Sequence, residues 1–406
     1  VESLSARRSS PQPLRSTLEA SSHAEGEQVW SARAVARTGR AVVDRSAMGR
    51  CPRMRRLRAG ISKHDAVEHF RGLGIDVFLG AGKFAGRNTF EIGGKVLRFA
   101  RACIATGARA AAPLIPGLRE VRYLTNETLF SLTRLPKRLG IVGAGPVGCE
   151  MAQAFARFGS EVHLIEEMHG VLPREDSDAS EVIGRSLLKD GVNVHCCGKS
   201  LTLRKTATGF GMAFNSHGQH YDLEVDEILV SVGRAPNVED LGLEAANVTF
   251  DRGGVQVDDF LRTTNHNIYA AGDVCSKYKF THAANAMARI VIRNALFFGR
   301  ARASSLVIPW VTYTDPELAH VGLNLQTAKK ENRRIDVVQV DLSDVDRAVL
   351  DDVDGFARLI LKAGTDTILG ATLVSPHAGE MIGEAALAMT MGLGAGALSS
   401  TIHPYP

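Results

Sequence analysis

The stretch Leu139-Gly140-Ile141-Val142-Gly143-Ala144-Gly145-Pro146-Val147-Gly148-Cys149-Glu150 decides the fold. A short apolar run enters it. A helical pattern leaves it, with Val147, Met151, Ala154, Phe155 and Phe158 on one face. Glu161-Val162-His163-Leu164-Ile165-Glu166 then reads as a second strand ending in a carboxylate. Strand, glycine turn, helix and strand in this order form a dinucleotide-binding unit. Gly143 permits the tight turn, Gly145 lets the backbone approach a pyrophosphate, and Gly148 lets helix and strand pack closely. The helix start offers free N–H groups and a partial positive charge to the phosphates. Glu166 lies 23 residues past Gly143, close to the spacing of a ribose-binding acid. With Glu167 beside it and no arginine in the next six residues, it favours NADH over NADPH.

The 406 residues suffice for two or three domains. An apolar fraction of 45% and a charged fraction of 23% describe an ordinary soluble globular chain. A net charge of +4 is too mild to point to nucleic acid. The weakly polar run from Ala385 to Leu398 is too short and glycine-rich to span a bilayer, so no membrane is expected. Cysteines stand at positions 51, 103, 149, 196, 197 and 275, without a CxxC pair or a Cys/His metal spacing. That pattern suits a reducing, cytoplasmic compartment. Cys196 and Cys197 are adjacent, but neighbouring strand side chains point to opposite faces, so no metal site is assigned there. His64 and His69 have a spacing unsuited to a metal and read as a solvated helix face.

Residues 1–50 are rich in Arg, Ser and Ala without a sustained apolar period, which predicts poor order. Glu2, Glu19, Glu25 and Glu27 count against a transit peptide. Met54, Leu57 and Ile61 open a helical pattern. Gly74–Gly80 reads as a strand, and Thr89–Ile92 with Val96–Phe99 as a hairpin. Ala102–Arg109 reads as a buried strand, Cys103 included, ending in a small-residue turn. A helix is expected to run to Leu188, followed by strands through Val230. From Val307 the pattern is strands and then a helix from Gly379, as in an α+β domain.

Several stretches carry a joint resemblance. They are Ile104-Ala105-Thr106-Gly107, the glycine unit with Glu150, Val232-Gly233-Arg234-Ala235-Pro236-Asn237, and Ala271-Gly272-Asp273. Tyr313-Thr314-Asp315-Pro316-Glu317, Ala378-Gly379-Glu380-Met381-Ile382 and His403-Pro404-Tyr405-Pro406 complete the set. Together they resemble the flavin-dependent pyridine nucleotide–disulfide oxidoreductases, in the mercuric reductase and dihydrolipoamide dehydrogenase branch. Asp346-Arg347-Ala348 and the Tyr405-Pro406 ending lean to the mercuric side.

The resemblance implies an α/β fold of two Rossmann-like domains, for FAD and NAD(P), plus an α+β C-terminal dimerisation domain. The expected boundaries are an aberrant segment 1–50, FAD domain 51–130, NAD(P) domain 131–250, FAD domain resumed 251–305 and dimerisation domain 306–406. It implies hydride transfer from NAD(P)H to FAD, then to a disulfide and a small-molecule or metal-ion substrate, within a homodimer. Asp273 would bond the flavin's ribityl chain, and Thr106 and Gly107 would bring backbone to the FAD. Gly143, Gly145, Gly148, Glu166 and Gly233 would line the nicotinamide dinucleotide. His403 and Tyr405 would be the catalytic residues of the C-terminal loop. Met381, Ile382, Ala385 and Met389 would form the dimer seam.

Departures from the family pattern qualify the activity. No GxGxxG precedes Gly143, and no two cysteines stand four residues apart before a Pro-Ser-Lys. Ser31-Ala32-Arg33-Ala34-Val35-Ala36 looks like the helix that follows such a pair. The lysine that partners the acid at Glu150 is missing, as is the glutamate beyond Pro406. The expectation is a chain incomplete at both ends, with substoichiometric flavin and no reduction of Hg(II) or lipoamide. The alternative is a catalytically inactive, NAD(H)-binding dimeric protein.

Overall fold

The computed structural model describes Gly60 and residues 66–405. The expectations for Ser31–Ala36, Cys51, Met54, Leu57, Ile61, His64 and Pro406 lie outside the described residues. These residues divide into two compact units, 66–109 with 234–306, and 110–233 with 307–405.

In the first unit Gly82–Gly86, Thr89–Ile92 and Lys95–Arg98 form an antiparallel meander. Phe84 meets Phe90 edge to face, with ring centroids 5.0 Å apart. The pair belongs to a core with Ile104, Leu243, Ile268 and Val274. Strands Ala102–Ile104 and Ile268–Ala270 pair in parallel, Cys103 opposite Tyr269. Thr106-Gly107 and Gly272-Asp273 therefore leave the same carboxyl edge.

Two expectations fail in this unit. Residues 75–80 form no strand; no neighbouring strand among the described residues pairs with them, and Leu79 is 70% exposed. Cys103 is exposed rather than buried, because the alternation of its strand buries Ala102 and Ile104 and turns the residue between them outwards.

The second unit is built on β1 (Arg138–Val142), α1 (Pro146–Phe158), β2 (Glu161–Ile165), α2 (Ser177–Lys189), β3 (Val192–His195) and β4 (Glu227–Val230). The strands form a parallel sheet in the order β4-β1-β2-β3, with Ile141 between Leu229 and Leu164. Both faces are covered, so Leu139, Ile141, Leu164, Ile228 and Leu229 are sealed from solvent. An antiparallel sheet of Lys199–Lys205, Phe210–Ser216 and Gln219–Val225 supplies Met212, Phe214 and Val225 to the core around Val142 and Ile165. Pro146 opens α1, and Gly159 closes it in the left-handed conformation at φ 98°. The buried residues of α1 include Cys149, Met151, Ala154 and Phe155. Val147 is exposed instead, because it lies about 100° round the helix from Gly148, which faces the glycine turn.

The C-terminal part is an antiparallel sheet in the order Pro309–Thr312, Glu317–Gly322, Ile368–Ser375, Phe356–Lys362, Ile335–Asp341. Helix α3 (Ala378–Met391) lies on it. Ile382 and Ala385 pack against Ala319, Val321 and Ala371 of their own sheet, so these two do not form an exposed seam. The apolar residues that α3 leaves exposed are Met381, Leu387 and Met391.

Buried polar contacts join this sheet to the nucleotide-type sheet. Gln153 donates to the Asp315 carbonyl at 2.9 Å and accepts its N–H at 2.8 Å. Arg157 pairs with Asp190 and Asp315, each at 2.8 Å. Arg358, 3% exposed, pairs with Asp176 at 3.2 Å and with Asp178.

Candidate functional site

The glycine turn is shaped by what a side chain would strike. Gly143 sits at φ 99°, and a Cβ there would lie 2.8 Å from the Ser231 carbonyl oxygen. A Cβ on Gly148 would lie 1.9 Å from the Gly143 carbonyl oxygen, so the helix start rests directly on the turn. Gly145, the N-cap of α1, has no atom within 4 Å of where its Cβ would be. The result is a closed floor under an open mouth at a helix N-terminus, a cradle that suits a diphosphate.

Glu166 stands just past β2 at this mouth. Its carboxylate accepts the Ala144 N–H at 2.7 Å and the Met168 N–H at 3.0 Å. A carboxylate has about four lone-pair sites, which leaves capacity for ribose hydroxyls. Gly233, at φ 122° beyond β4, also faces open space. Gly143, Gly145, Gly148, Glu166 and Gly233 thus gather at the carboxyl edge of the parallel sheet, and these residues fit a dinucleotide. Cys149 is fully buried beneath them and donates to the Ala144 carbonyl at 3.3 Å. Burial holds its thiol far above the ordinary range, which keeps it a packing residue.

In the other unit, Thr106 donates through Oγ1 to the Asn237 carbonyl at 2.7 Å. Asn237 returns bonds to the carbonyls of Thr106 at 2.9 Å and of Gly107 at 3.0 Å. Asp273 accepts from Arg234 Nε at 3.0 Å, and Lys279 donates to the Asp273 carbonyl. Arg234, Asn237 and Lys279 therefore set the shape of this edge. The sequence signal for two of them is the Gly233–Asn237 motif, in which the resemblance assigns a role to the glycine alone. Thr106, Gly107 and Asp273 suit the polar chain of a flavin. Among the described residues of this unit, no glycine turn of the kind found at Gly143–Gly148 stands at a helix start. Cys275 is partly buried there, its thiol pushed up to about 12 by burial and by the neighbouring Cys103.

His403 meets Glu384 of α3 at 2.9 Å, and Tyr405 donates to Asp346 at 2.9 Å. The Glu384 carboxylate raises the His403 pKa above its ordinary value. The two C-terminal residues thus bond to separate acids rather than to each other. Glu150 accepts the Tyr313 N–H at 2.8 Å. All five described cysteines are free thiols.

Residues 17–288 match the profile described as pyridine nucleotide-disulphide oxidoreductase, and residues 308–406 match its dimerisation domain. The chain belongs to the pyridine nucleotide–disulphide oxidoreductase family. It is 35% identical to a mercuric reductase from Bacillus cereus over 82% of this chain and 53% of that protein. A dihydrolipoyl dehydrogenase from Thermus scotoductus is 34% identical over 86% of this chain and 74% of its own length. The copper(II) complex of the HOCl-induced flavoprotein disulfide reductase RclA from Escherichia coli superimposes with a TM-score of 0.78. It is 29% identical, covering 87% of this chain and 83% of that one. The chain spans 53% to 62% of the length of the mercuric reductases it matches. FAD and NAD(P)H are the usual cofactors of this oxidoreductase family. Among the described residues no helix is long and apolar enough to cross a membrane.

Proposed function

We propose that the chain is an NADH-preferring, FAD-dependent oxidoreductase of the mercuric-reductase-like kind, working as a cytoplasmic homodimer on a small-molecule or metal-ion substrate. The observation that carries this reading is the open glycine turn with the Glu166 carboxylate held at its mouth. The α1 N-terminus binds the pyrophosphate, and Glu166 orients the adenosine ribose while repelling a 2′-phosphate. Thr106, Gly107 and Asp273 hold the polar chain of the flavin. A bound FAD would supply two-electron hydride chemistry beside these residues. His403, backed by Glu384, holds a proton at Nε2, and Tyr405 presents its hydroxyl beside it in the chain.

A second reading is an NAD(H)-binding dimer without turnover. It is favoured by the thiols: Cys149 and Cys275 are held protonated by burial, and no two cysteines have the redox-pair spacing. The test measures flavin absorbance per chain, then NADH oxidation with added FAD, with and without Hg(II), in wild type and Cys275→Ala. Slow oxidase or diaphorase turnover with added FAD, unaffected by Hg(II), supports the first reading. Nucleotide binding with neither flavin nor turnover supports the second. A brisk Hg(II)-dependent rate supports the first reading with a metal ion as substrate and overturns the expectation of no Hg(II) reduction, and its loss in Cys275→Ala names the thiol. Failure to bind NADH at all refutes both.

A further inference from the structure

Cys196 and Cys197 are not on a strand. β3 ends at His195, and Cys197 takes a left-handed φ of 56°, so the alternation that sends adjacent side chains apart does not operate. The turn brings both thiols to one side. His169 Nδ1 and the two Sγ atoms all lie within 4.8 Å of one another. Cys197 Sγ is 3.7 Å from His169 Nδ1, and Cys196 Sγ is 3.2 Å from His217 Nε2.

Around a tetrahedral ion with bonds of about 2.3 Å to sulfur and about 2.0 Å to nitrogen, sulfur–nitrogen separations are about 3.5 Å. The Cys197–His169 separation of 3.7 Å is close to that value. Two thiolates and one imidazole, with a fourth position left for water, suit Zn(II).

The donors sit on two loops that the backbone already ties together. The Cys197 N–H donates to Met168 O at 2.9 Å and the Gly198 N–H to Glu166 O at 2.7 Å. Ser216 Oγ donates to Cys196 O at 2.6 Å. His169 is exposed and the thiols are partly buried, so an ion enters from solvent without unfolding.

We propose that His169, Cys196 and Cys197 form a Zn(II) site just past the ends of β2 and β3, with water in the fourth tetrahedral position. On binding, each thiol releases its proton to solvent, and the two thiolates neutralise the ion.

The full chain, stripped with a chelator, is titrated with Co(II) and then with Zn(II), reading difference spectra. One equivalent of Co(II) should give tetrahedral visible bands and a sulfur-to-cobalt charge-transfer band, both bleached by Zn(II). Cys196→Ser with Cys197→Ser should abolish the charge-transfer band, and His169→Ala should weaken Zn(II) at least tenfold. His220→Ala, an exposed histidine on the neighbouring hairpin, should bind as wild type. In the unsubstituted protein, Zn(II) should protect two cysteines from alkylation, mapped to Cys196 and Cys197. Weak octahedral bands in the wild type, an unchanged spectrum in the double variant, or no protection of this pair would each overturn the assignment.

Discussion

Replacing Gly145 by alanine should separate nucleotide binding from folding. Its backbone, at φ −73° and ψ −176°, is open to any residue, and the new Cβ meets nothing within 4 Å. Alanine is a poorer N-cap than glycine by about 0.5 kcal/mol, while the stiffer unfolded chain returns about 0.4–1 kcal/mol. The net change in stability is therefore within about 0.5 kcal/mol. The methyl group, however, fills the space through which a phosphate reaches the N–H groups. Losing one charge-assisted hydrogen bond costs about 1.5–3 kcal/mol, or roughly 10- to 150-fold in NADH affinity. Gly148→Ala differs. Its Cβ would lie 1.9 Å from a backbone oxygen, so α1 must lift off the turn, costing about 1–3 kcal/mol of stability as well as binding. NADH titration by calorimetry, paired with thermal melts, separates the two. Wild-type affinity in Gly145→Ala would refute the cradle, and equal destabilisation of both variants would refute the packing argument.

In wild type NADH should bind more tightly than NADPH, and Glu166→Ala should narrow that ratio at least fivefold; tighter NADPH binding in direct titration refutes the role of Glu166. Arg358→Met strands Asp176, also 3% exposed, and should cost about 3 kcal/mol in urea unfolding. The loss stays near the low end because Asp176 keeps N–H bonds from Leu325 and Gln326; a loss under about 1 kcal/mol would mean that the pair is dispensable. Burial lowers the pKa of His320, which bonds Thr372 at 2.8 Å. The unfolded chain, with a histidine pKa near about 6.5, takes up the proton first, so this stabilisation is full above that pH and drains as pH falls. His320→Gln should flatten the decline in stability below about pH 6.5, and an unchanged pH profile contradicts the assignment. Light scattering should report a dimer at micromolar concentration, and Leu387→Glu on the exposed side of α3 should weaken it; a folded wild-type monomer would sink the dimer.

The glycine turn was legible in the sequence because its constraints are local. Gly143 and Gly148 collide within five residues of each other, so the spacing already contains the geometry. The Thr89–Ile92 hairpin strand and α1 follow from short-range pattern in the same way. Where an element depends on what lies alongside it, pattern misleads. Gly74–Gly80 looks extended but finds no partner strand, and the apolar stripe at Ile382 and Ala385 is spent on its own sheet. Family resemblance also left the joints unread. Gln153 holds Asp315 from 162 residues away, and Arg358 reaches Asp178 across 180. By itself the sequence determined the nucleotide turn and the alternation of elements, since backbone sterics and side-chain period act between near neighbours. Only the tertiary structure decided which distant residues share a site. Parallel strands β2 and β3 end at one edge, and that edge brings His169 to Cys197 over 28 residues.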